Sequence, residues 1–273
     1  MPLALICVAV AWFAFWMWSQ PWRARRRRAA LAARPFPSAW RKVLRNRLPL
    51  YRRMPADLQR QLRALIQAFI AEKAFIGCRG LQITDEIRVT IAAQACLLQL
   101  NRRHAGLFPD CRQILVYPGA FIVDRVETLG GGVMRDQRRA LLGESWSAGQ
   151  VILSWEGSRD GAAIADDGQN VVIHEFAHQL DQANGIANGA PPLRSRAQHL
   201  RWAQVMAREF EQLRVQTAAG EPALFDSYGA TDPAEFFAVA SEVFFEQPAP
   251  MAAGHPQLYA QLASHYRVDP VNW

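Results

Sequence analysis

The sequence predicts an α+β fold, in which a small β-sheet lies among helices. Apolar residues recur at helical spacing over residues 57 to 98 and again after Asn170. Short β-type runs separated by turn residues fill the stretch from Gln113 to Trp155. Hydrophobic residues make up 51% of the 273 residues and charged residues 20%, a balance that excludes an intrinsically disordered chain.

The first predicted element is a transmembrane anchor over residues 1–19. Residues 1 to 18 are all apolar, and a helix of that length, rising about 1.5 Å per residue, approaches the thickness of a bilayer core. Arginines follow at once, at 23 and at 25 to 28. The positive-inside rule then predicts a single-pass protein of the inner membrane whose remaining residues face the cytoplasm. A cleaved signal peptide is the alternative, but the segment lacks a basic start and a small-residue cleavage site.

Residues 20–56 are predicted to be a basic juxtamembrane linker with short helical pieces. Thirteen Lys and Arg residues lie between 20 and 60, where Asp57 is the one acidic residue. The net charge of +7 is therefore concentrated in one segment of the chain. Because these arginines adjoin an apolar segment, anionic lipid is the expected partner, and direct binding of nucleic acid is not expected.

A folded domain is predicted over residues 57–273, and its first part, residues 57–112, is expected to be helical. Apolar residues recur at helical spacing from Leu58 to Phe69. A second helix is predicted to begin at Thr84, since two acidic residues follow this good N-cap. Both helices are interpreted as structural.

The second part of the domain, residues 113–273, opens with the predicted sheet. Its expected strands are the runs at 114–118, 120–124 and 151–155. The glycines at 130 to 132 lack the spacing of a phosphate-binding loop, so they are interpreted as a turn and no nucleotide is indicated. Helices are then predicted at about 170–184, 194–216, 232–246 and 256–266.

The most informative motif is an H-E-x-x-H sequence on a predicted helix, from His174 to His178. The i, i+4 spacing places both imidazoles on one helix face, where each can offer a nitrogen to one zinc ion. Glu175 can then take a proton from the attacking water. Polar residues flank the motif, so it is assigned to a domain outside the membrane. Two capping or core histidines are a weak alternative, because a buried apolar helix has little reason to carry this pattern.

A catalytic zinc ion needs a third protein ligand, and the candidates lie on the helix predicted from Asp232. Glu235 and Glu242 share one face of that helix. On spacing alone, Glu235 is equally well interpreted as a zinc ligand and as the second acid of a capping box with Asp232. Glu242 is interpreted as a surface or supporting acid, which can orient a ligand histidine.

Other histidines and the cysteines are weaker candidates for metal binding. Four histidines stand singly in polar or loop settings and are predicted to be surface residues: His104, His199, His255 and His265. Of these, His199 is the best reserve ligand. The four cysteines lie far apart without a C-x-x-C pair, so no cysteine zinc site is predicted.

Residues on both sides of the metal motif form a larger pattern. HEFAHQLD at 174–181 is followed by NG at 184–185 and by Y-x-x-x-DPAE-FFAV-SE-FF from 228 to 245. Upstream, the matching segments are ITDEIRVTIAAQACLL at 83–98, ILVYPGAFIV at 114–123 and GQVILSW at 149–155. This combination resembles the Mlc titration factor A family of zinc-dependent peptidases, over roughly residues 57 to 268. Asp181 also matches that family and is expected to be structural.

The resemblance implies a zincin-like domain of the gluzincin type, related to the catalytic domain of anthrax lethal factor. It implies that His174, His178 and Glu235 bind one zinc ion per chain. It also implies that Glu175 is the general base and that Tyr228 helps to stabilise the oxyanion.

Substrate and partner are also predicted from the resemblance. A peptide or protein is the expected substrate, and the strand from Val151 to Trp155 is predicted to pair with it. Whether cleavage is internal or terminal, as by an aminopeptidase, stays open. The family also implies an alternative function, a membrane-tethered regulator that binds and sequesters a transcriptional repressor of the Mlc type.

Overall fold

The computed structural model of the protein describes residues 2–102, 106–129, 133–141, 143–146 and 149–273. Over these residues the fold is mostly helical, with a four-stranded sheet and a separate two-stranded hairpin. The predicted α+β composition is therefore confirmed.

The N-terminal region is helical. Its helices are α1 (Pro2–Ala32), α2 (Ser38–Arg47), α3 (Pro49–Arg53) and α4 (Ala56–Glu72). α1 contains both the apolar segment and the arginines that follow it, and it contacts α4, where Arg28 Nε lies 2.6 Å from Glu72 Oε1. The predicted helix from Leu58 to Phe69 is confirmed as α4.

Within the described part of the chain, no helix combines the length and the apolar character needed to cross a membrane. The predicted anchor over residues 1–19, and with it the single-pass location in the inner membrane, is therefore wrong. The apolar segment continues without interruption into the arginine-rich half of α1, which pairs with the rest of the protein through Arg28. The lipid partner predicted for residues 20–56 has no support. The domain boundaries at residues 56 and 112 stay predictions.

Between α4 and the sheet lies α5 (Asp85–Leu97), which begins where the sequence predicted. The Thr84 side chain caps it, since Oγ1 accepts a hydrogen bond of 3.3 Å from the backbone N–H of Ile87. Nearly all of its side chains are buried, so α5 lies in the core.

The four-stranded sheet has the strand order β1-β2-β6-β5. Its strands are β1 (Ala74–Gly77), β2 (Gln113–Tyr117), β5 (Gly143–Trp146) and β6 (Gln150–Ser154). β1, β2 and β6 are parallel, and β5 runs antiparallel to β6. The strand β1 was not predicted, because four residues are too few to show a period. β3 (Phe121–Leu129) and β4 (Val133–Leu141) form the hairpin, and the predicted glycine turn at 130–132 lies outside the described residues.

The position of β6 decides where a substrate can pair with the sheet. β2 occupies one side of β6 and β5 occupies the other. The prediction that residues 151–155 pair with a peptide is therefore wrong, because the main-chain groups of β6 are already used within the sheet.

The C-terminal region consists mainly of helices. They are α6 (Trp155–Ala163), α7 (Val171–Asp181), α8 (Arg196–Ala219), α9 (Pro233–Glu246), α10 (Pro248–Gly254) and α11 (Pro256–Tyr266). Helices α7, α8, α9 and α11 confirm the four that were predicted, whereas α6 and α10 were not predicted. α6 begins directly after β6, where Ser154 Oγ accepts the backbone N–H of Gly157 at 3.1 Å.

One hydrophobic core joins these regions and fixes the position of α7. The Phe176 ring of α7 lies 5.6 Å from the Phe69 ring of α4 and 4.6 Å from the Phe108 ring. α7 also packs against α9, whose phenylalanines Phe236 and Phe244 are fully buried. Because each buried Phe stabilises the fold by about 1.5–3 kcal/mol, this packing holds α7 and α9 side by side.

Candidate metal centre

The helix α7, which carries the H-E-x-x-H motif, begins at a cap with several partners. Asn170 Oδ1 accepts the backbone N–H of Ile173 at 3.0 Å. Its Nδ2 donates to the carbonyl of Gly161 at 2.9 Å and to Glu246 Oε1 at 2.8 Å. These bonds fix the start and the rotation of α7, and therefore the face on which its histidines lie.

His174, His178 and Glu235 converge on one point. His174 Nε2 lies 3.0 Å from Glu235 Oε2, and His178 Nε2 lies 3.3 Å from the same oxygen. The two Nε2 atoms are 3.2 Å apart. The Asp232 side chain caps α9. Its Oδ1 accepts the backbone N–H groups of Ala234 and Glu235. The Glu235 carboxylate contacts the histidines, which favours the ligand interpretation over the capping box.

The spacing of these three atoms fits a zinc ion. Tetrahedral zinc with bonds of about 2.0–2.1 Å to nitrogen and oxygen places neighbouring ligand atoms about 3.3–3.4 Å apart. The observed separations are 3.0, 3.2 and 3.3 Å. Over the described residues, this is the one cluster of three or more His, Cys, Asp or Glu residues whose ligand atoms all lie within 4.8 Å. Two imidazoles and one carboxylate also form a donor set that zinc accepts.

Glu242 contacts His174 at Nδ1, the ring nitrogen that does not face the cluster. Its Oε1 lies 2.7 Å from His174 Nδ1, and its Oε2 accepts the backbone N–H of Asn170. When His174 donates its Nδ1–H to Glu242, Nε2 of the neutral ring keeps its lone pair for a metal. The sequence left Glu242 as either a surface acid or a supporting acid. Because Glu242 is buried and contacts His174, the structure favours the supporting acid.

Contacts within the cluster shift the pKa values of two of its side chains. Burial lowers the pKa of His174, but the negative charge of Glu242 and the hydrogen bonds with Glu235 and Glu242 outweigh burial, and the pKa is raised well above 6.5. Burial raises the pKa of Glu235, but hydrogen bonds with His174 and His178 outweigh it, and the net pKa is lowered. Both shifts favour the charged forms, an imidazolium beside a carboxylate.

Glu175 and Tyr228, the two residues predicted to be catalytic, lie beside the cluster. Glu175 is 4% exposed, and its charge helps to raise the pKa of His174. Tyr228 lies in a 3₁₀ turn, Ser227–Ala230, whose N-cap is Asp226. Its ring centroid is 6.0 Å from that of His174, and its side chain is 38% exposed. The structure thus brings together all five predicted site residues.

Gly189 links the end of α7 to α8 by hydrogen bonds and lies against the start of α9. Asp181, which is fully buried, accepts the Gly189 N–H at 2.7 Å, and the Gly189 carbonyl accepts Trp202 Nε1–H at 2.8 Å. Gly189 has a φ of +75°, and a Cβ there would lie 2.3 Å from the Pro233 carbonyl oxygen. Only glycine fits this position. The contacts agree with the structural role predicted for Asp181.

Three further histidines that the structure describes do not join the cluster. His199 is exposed on α8, as predicted, and does not belong to the described metal-ligand group. His255 and His265 are not surface residues. His255 Nδ1 lies 2.6 Å from Glu209 Oε2, and the His265 ring packs 5.5 Å from the Trp202 ring. That prediction failed because helix packing turns isolated polar residues inward. His104 lies outside the described residues.

Sequence reasoning missed Asn170 and Glu246. Glu246 accepts hydrogen bonds from Asn170 and from the Gly168 N–H, at 2.8 and 3.1 Å. Two signals were available for finding them. An Asn directly before an apolar helix is a common N-cap, and acids spaced i, i+4 on the apolar helix α9, at 242 and 246, need buried partners.

Comparison with known proteins gives consistent results. A protein-family model described as glucose-regulated metallo-peptidase M90 matches residues 22–267. An uncharacterised protein of Synechocystis sp. is 39% identical over 272 residues, 99% of this chain and 98% of the relative. Mlc titration factor A of Cronobacter sakazakii is 31% identical over 92% of each chain. Mlc titration factor A of Salmonella typhi is 34% identical over 82% of this chain and 84% of the relative. The matched range contains every residue of the cluster.

Proposed function

Because the chain belongs to the glucose-regulated metallo-peptidase M90 family, we propose that it hydrolyses peptide bonds with one zinc ion held by His174, His178 and Glu235. The family makes the protein a metallopeptidase, and the resemblance to Mlc titration factor A is confirmed by relatives covering most of the chain. The observation that carries the proposal is the convergence of three side-chain atoms, 3.0 to 3.3 Å apart, two of them on the helix that also carries the buried carboxylate of Glu175.

In the proposed mechanism, Glu175, Tyr228 and Glu242 each have a separate role. A zinc ion in such a site supplies Lewis-acid polarisation of the carbonyl and a lower pKa for water. Glu175 takes a proton from the attacking water and then gives it to the leaving amine. The Tyr228 hydroxyl donates a hydrogen bond to the oxyanion. Glu242 keeps His174 in the orientation and tautomer that the ligand role needs.

We expect an extended peptide to bind along β5. In the described part of the sheet, β5 is an edge strand that pairs with β6 on one side and contacts α7. Main-chain groups on the outer side of an edge strand can pair with an added strand. A peptide placed there runs close to the helix that carries His174 and His178.

The test is cleavage of a peptide library by the zinc-loaded protein, read by mass spectrometry. Glu175→Gln keeps the size of the side chain but cannot accept the proton, so the rate should fall by about 10²–10⁴-fold. The zinc content should stay the same, because Glu175 is not one of the proposed ligands. Glu211→Gln, at an exposed position on α8, is the matched control and should keep full activity.

The outcomes separate the parts of the proposal. Cuts only after N-terminal residues would identify an aminopeptidase, and internal cuts an endopeptidase. A fully active Glu175→Gln protein would overturn the role of Glu175. No cleavage by either zinc-loaded protein would overturn peptidase function for this site.

A second function is favoured by the names of the relatives. Two of them are called Mlc titration factor A. We propose, as the second candidate, that this chain binds a transcriptional repressor of the Mlc type. Titration calorimetry with a purified Mlc repressor and the zinc-loaded Glu175→Gln protein tests it, since binding should not need catalysis. Absence of heat at micromolar concentrations of both proteins would reject this candidate.

A further inference from the structure

A cavity of about 570 Å³ lies between α8, α11 and the segment that joins α7 to α8. This volume is within the range of about 300–1,000 Å³ that small-molecule sites occupy. Its polar lining includes Arg102, Arg194, Gln198, Ser264, His265 and Arg267. The residues of the metal cluster do not line it, so it is a separate site.

The lining of the cavity is positively charged, and none of its described lining residues is acidic. Arg102 Nε is buried and has no hydrogen-bond partner. Its NH2 group donates to the His265 carbonyl at 3.0 Å and lies 2.7 Å from His265 Nε2. Because a guanidinium can only donate, His265 Nε2 must be the acceptor. Burial and the Arg102 charge also lower the pKa of His265 well below 6.5, so the imidazole is neutral and does not compensate Arg102.

A second guanidinium adds to this unbalanced charge. Burial lowers the pKa of Arg102, and the charge of Arg194, an exposed residue, lowers it further. A buried cation without a counter-charge is costly, and a neighbouring like charge increases the cost. An anion in the cavity would offset both. Arginine is also the side chain best suited to bind phosphate or carboxylate oxygens in pairs.

We propose that this cavity binds a small organic anion through a phosphate or carboxylate group, with Arg102, Arg194 and Arg267 as the charged partners. The backbone around two of them is already fixed. The Arg194 N–H donates to Gln198 Oε1 at 3.0 Å, and the Arg267 carbonyl accepts Asn101 Nδ2–H at 2.8 Å. Little ordering of the backbone is therefore left for the ligand to impose.

The test is titration calorimetry on the full, zinc-loaded chain with three probes: inorganic phosphate, glycerol 3-phosphate and succinate. Saturable binding of at least one probe is expected, with affinity falling as sodium chloride is raised. Arg194→Gln and Arg267→Gln should each weaken binding by about tenfold, since each removes a charge-assisted contact. Arg201→Gln, an exposed arginine of α8 outside the cavity, is the matched control and should bind as the wild type.

Each outcome either supports or overturns the proposal. Binding of glycerol 3-phosphate but not succinate supports it with phosphate as the recognised group, and the reverse supports it with carboxylate. No saturable binding of any probe overturns it. Equal binding by the wild type, Arg194→Gln and Arg267→Gln also overturns it, because the anion is then bound elsewhere, for instance at the metal. Circular dichroism spectra of the variants confirm that they are folded.

Discussion

At the scale of single residues, the metal cluster depends on a neighbour that is not a ligand. Glu242 links His174 Nδ1 to the backbone N–H of Asn170, so one carboxylate sets the orientation of the ring and also holds the start of α7. Glu235, the proposed third ligand, is positioned differently. Its backbone N–H is held by the Asp232 cap, which aims the side chain at the histidines.

Glu242→Gln should weaken zinc binding by about 10–100-fold. The amide removes the negative charge behind His174 and presents an N–H₂ group in place of one of the two acceptor oxygens. Competition with a chromophoric zinc chelator measures the affinity. The control is Glu211→Gln, the same change at an exposed position on α8, which should bind zinc like the wild type. Equal zinc affinity in Glu242→Gln and the wild type would contradict the role given to Glu242.

The convergence of the two histidines was predictable from the sequence, whereas the positions of the acids were not. The i, i+4 spacing on a helix places His174 and His178 together without tertiary information. Choosing between the two roles of Glu235 required the position of its carboxylate relative to α7. That position follows from the packing of α9, which sequence spacing does not specify. The resemblance to a known family favoured the ligand role, with which the observed contacts of Glu235 agree.

At the scale of elements, α7 and α9 are joined through the cap of α7. Glu242 and Glu246, on α9, both contact Asn170. Burial, partly offset by the hydrogen bond from Asn170, raises the pKa of Glu246 to about 9. A hydrogen bond with Asp167 acts in the same direction as burial. At neutral pH, Glu246 is therefore a neutral carboxylic acid in the folded protein.

This pKa predicts that folding stability falls as the pH rises. The folded protein keeps a proton on Glu246 between pH 4.5 and about 9, where the unfolded chain has lost it, so the free energy of unfolding decreases across that window. Glu246→Gln mimics the protonated acid and should flatten this slope. Urea unfolding of both proteins at about pH 6 and about pH 8.5 measures it.

The comparison needs a control for other titrating groups. Glu211→Gln changes an exposed carboxylate on α8 and should keep the pH slope of the wild type. If Glu246→Gln and the wild type lose the same free energy of unfolding between the two pH values, the raised pKa of Glu246 is refuted.

At the scale of the whole molecule, the proposed zinc site connects distant parts of the chain. Glu235 is 61 residues from His174 and 57 from His178. The unfolded chain does not hold these side chains together, so an ion bound at the proposed site would prefer the folded state and stabilise it. This coupling makes thermal stability a measure of site formation.

Removal of zinc should lower Tm by about 5–15 °C when free zinc exceeds its Kd about 100- to 1,000-fold. Differential scanning calorimetry with and without a chelator measures the change, and elemental analysis confirms that zinc has been removed. His178→Ala lacks one ligand, so its Tm should respond little to zinc. The same Tm with and without zinc in the wild type would show that the ion does not connect these elements.

The overall fold was predictable where a segment was long and periodic. α4, α5, α7, α8, α9 and α11 were all found, because apolar spacing and caps act locally. α10 and β1 were too short to show a period, and α6 was hidden because the predicted strand extended to Trp155. The membrane anchor failed because a local apolar run says nothing about the rest of the helix that contains it.

The hydrogen bonds between Asn101 and Arg267 join residues 166 positions apart. They can form only after the C-terminal part of the chain has been synthesised. A ribosome delivers α7 and α9 before α11 exists. Tyr266 of α11 covers Phe244 and Phe245, with ring centroids 5.6 and 5.1 Å away. Until α11 leaves the ribosome, that aromatic surface is uncovered in the nascent chain. Chaperones that recognise apolar segments should therefore engage the protein late in translation, after α9 has emerged.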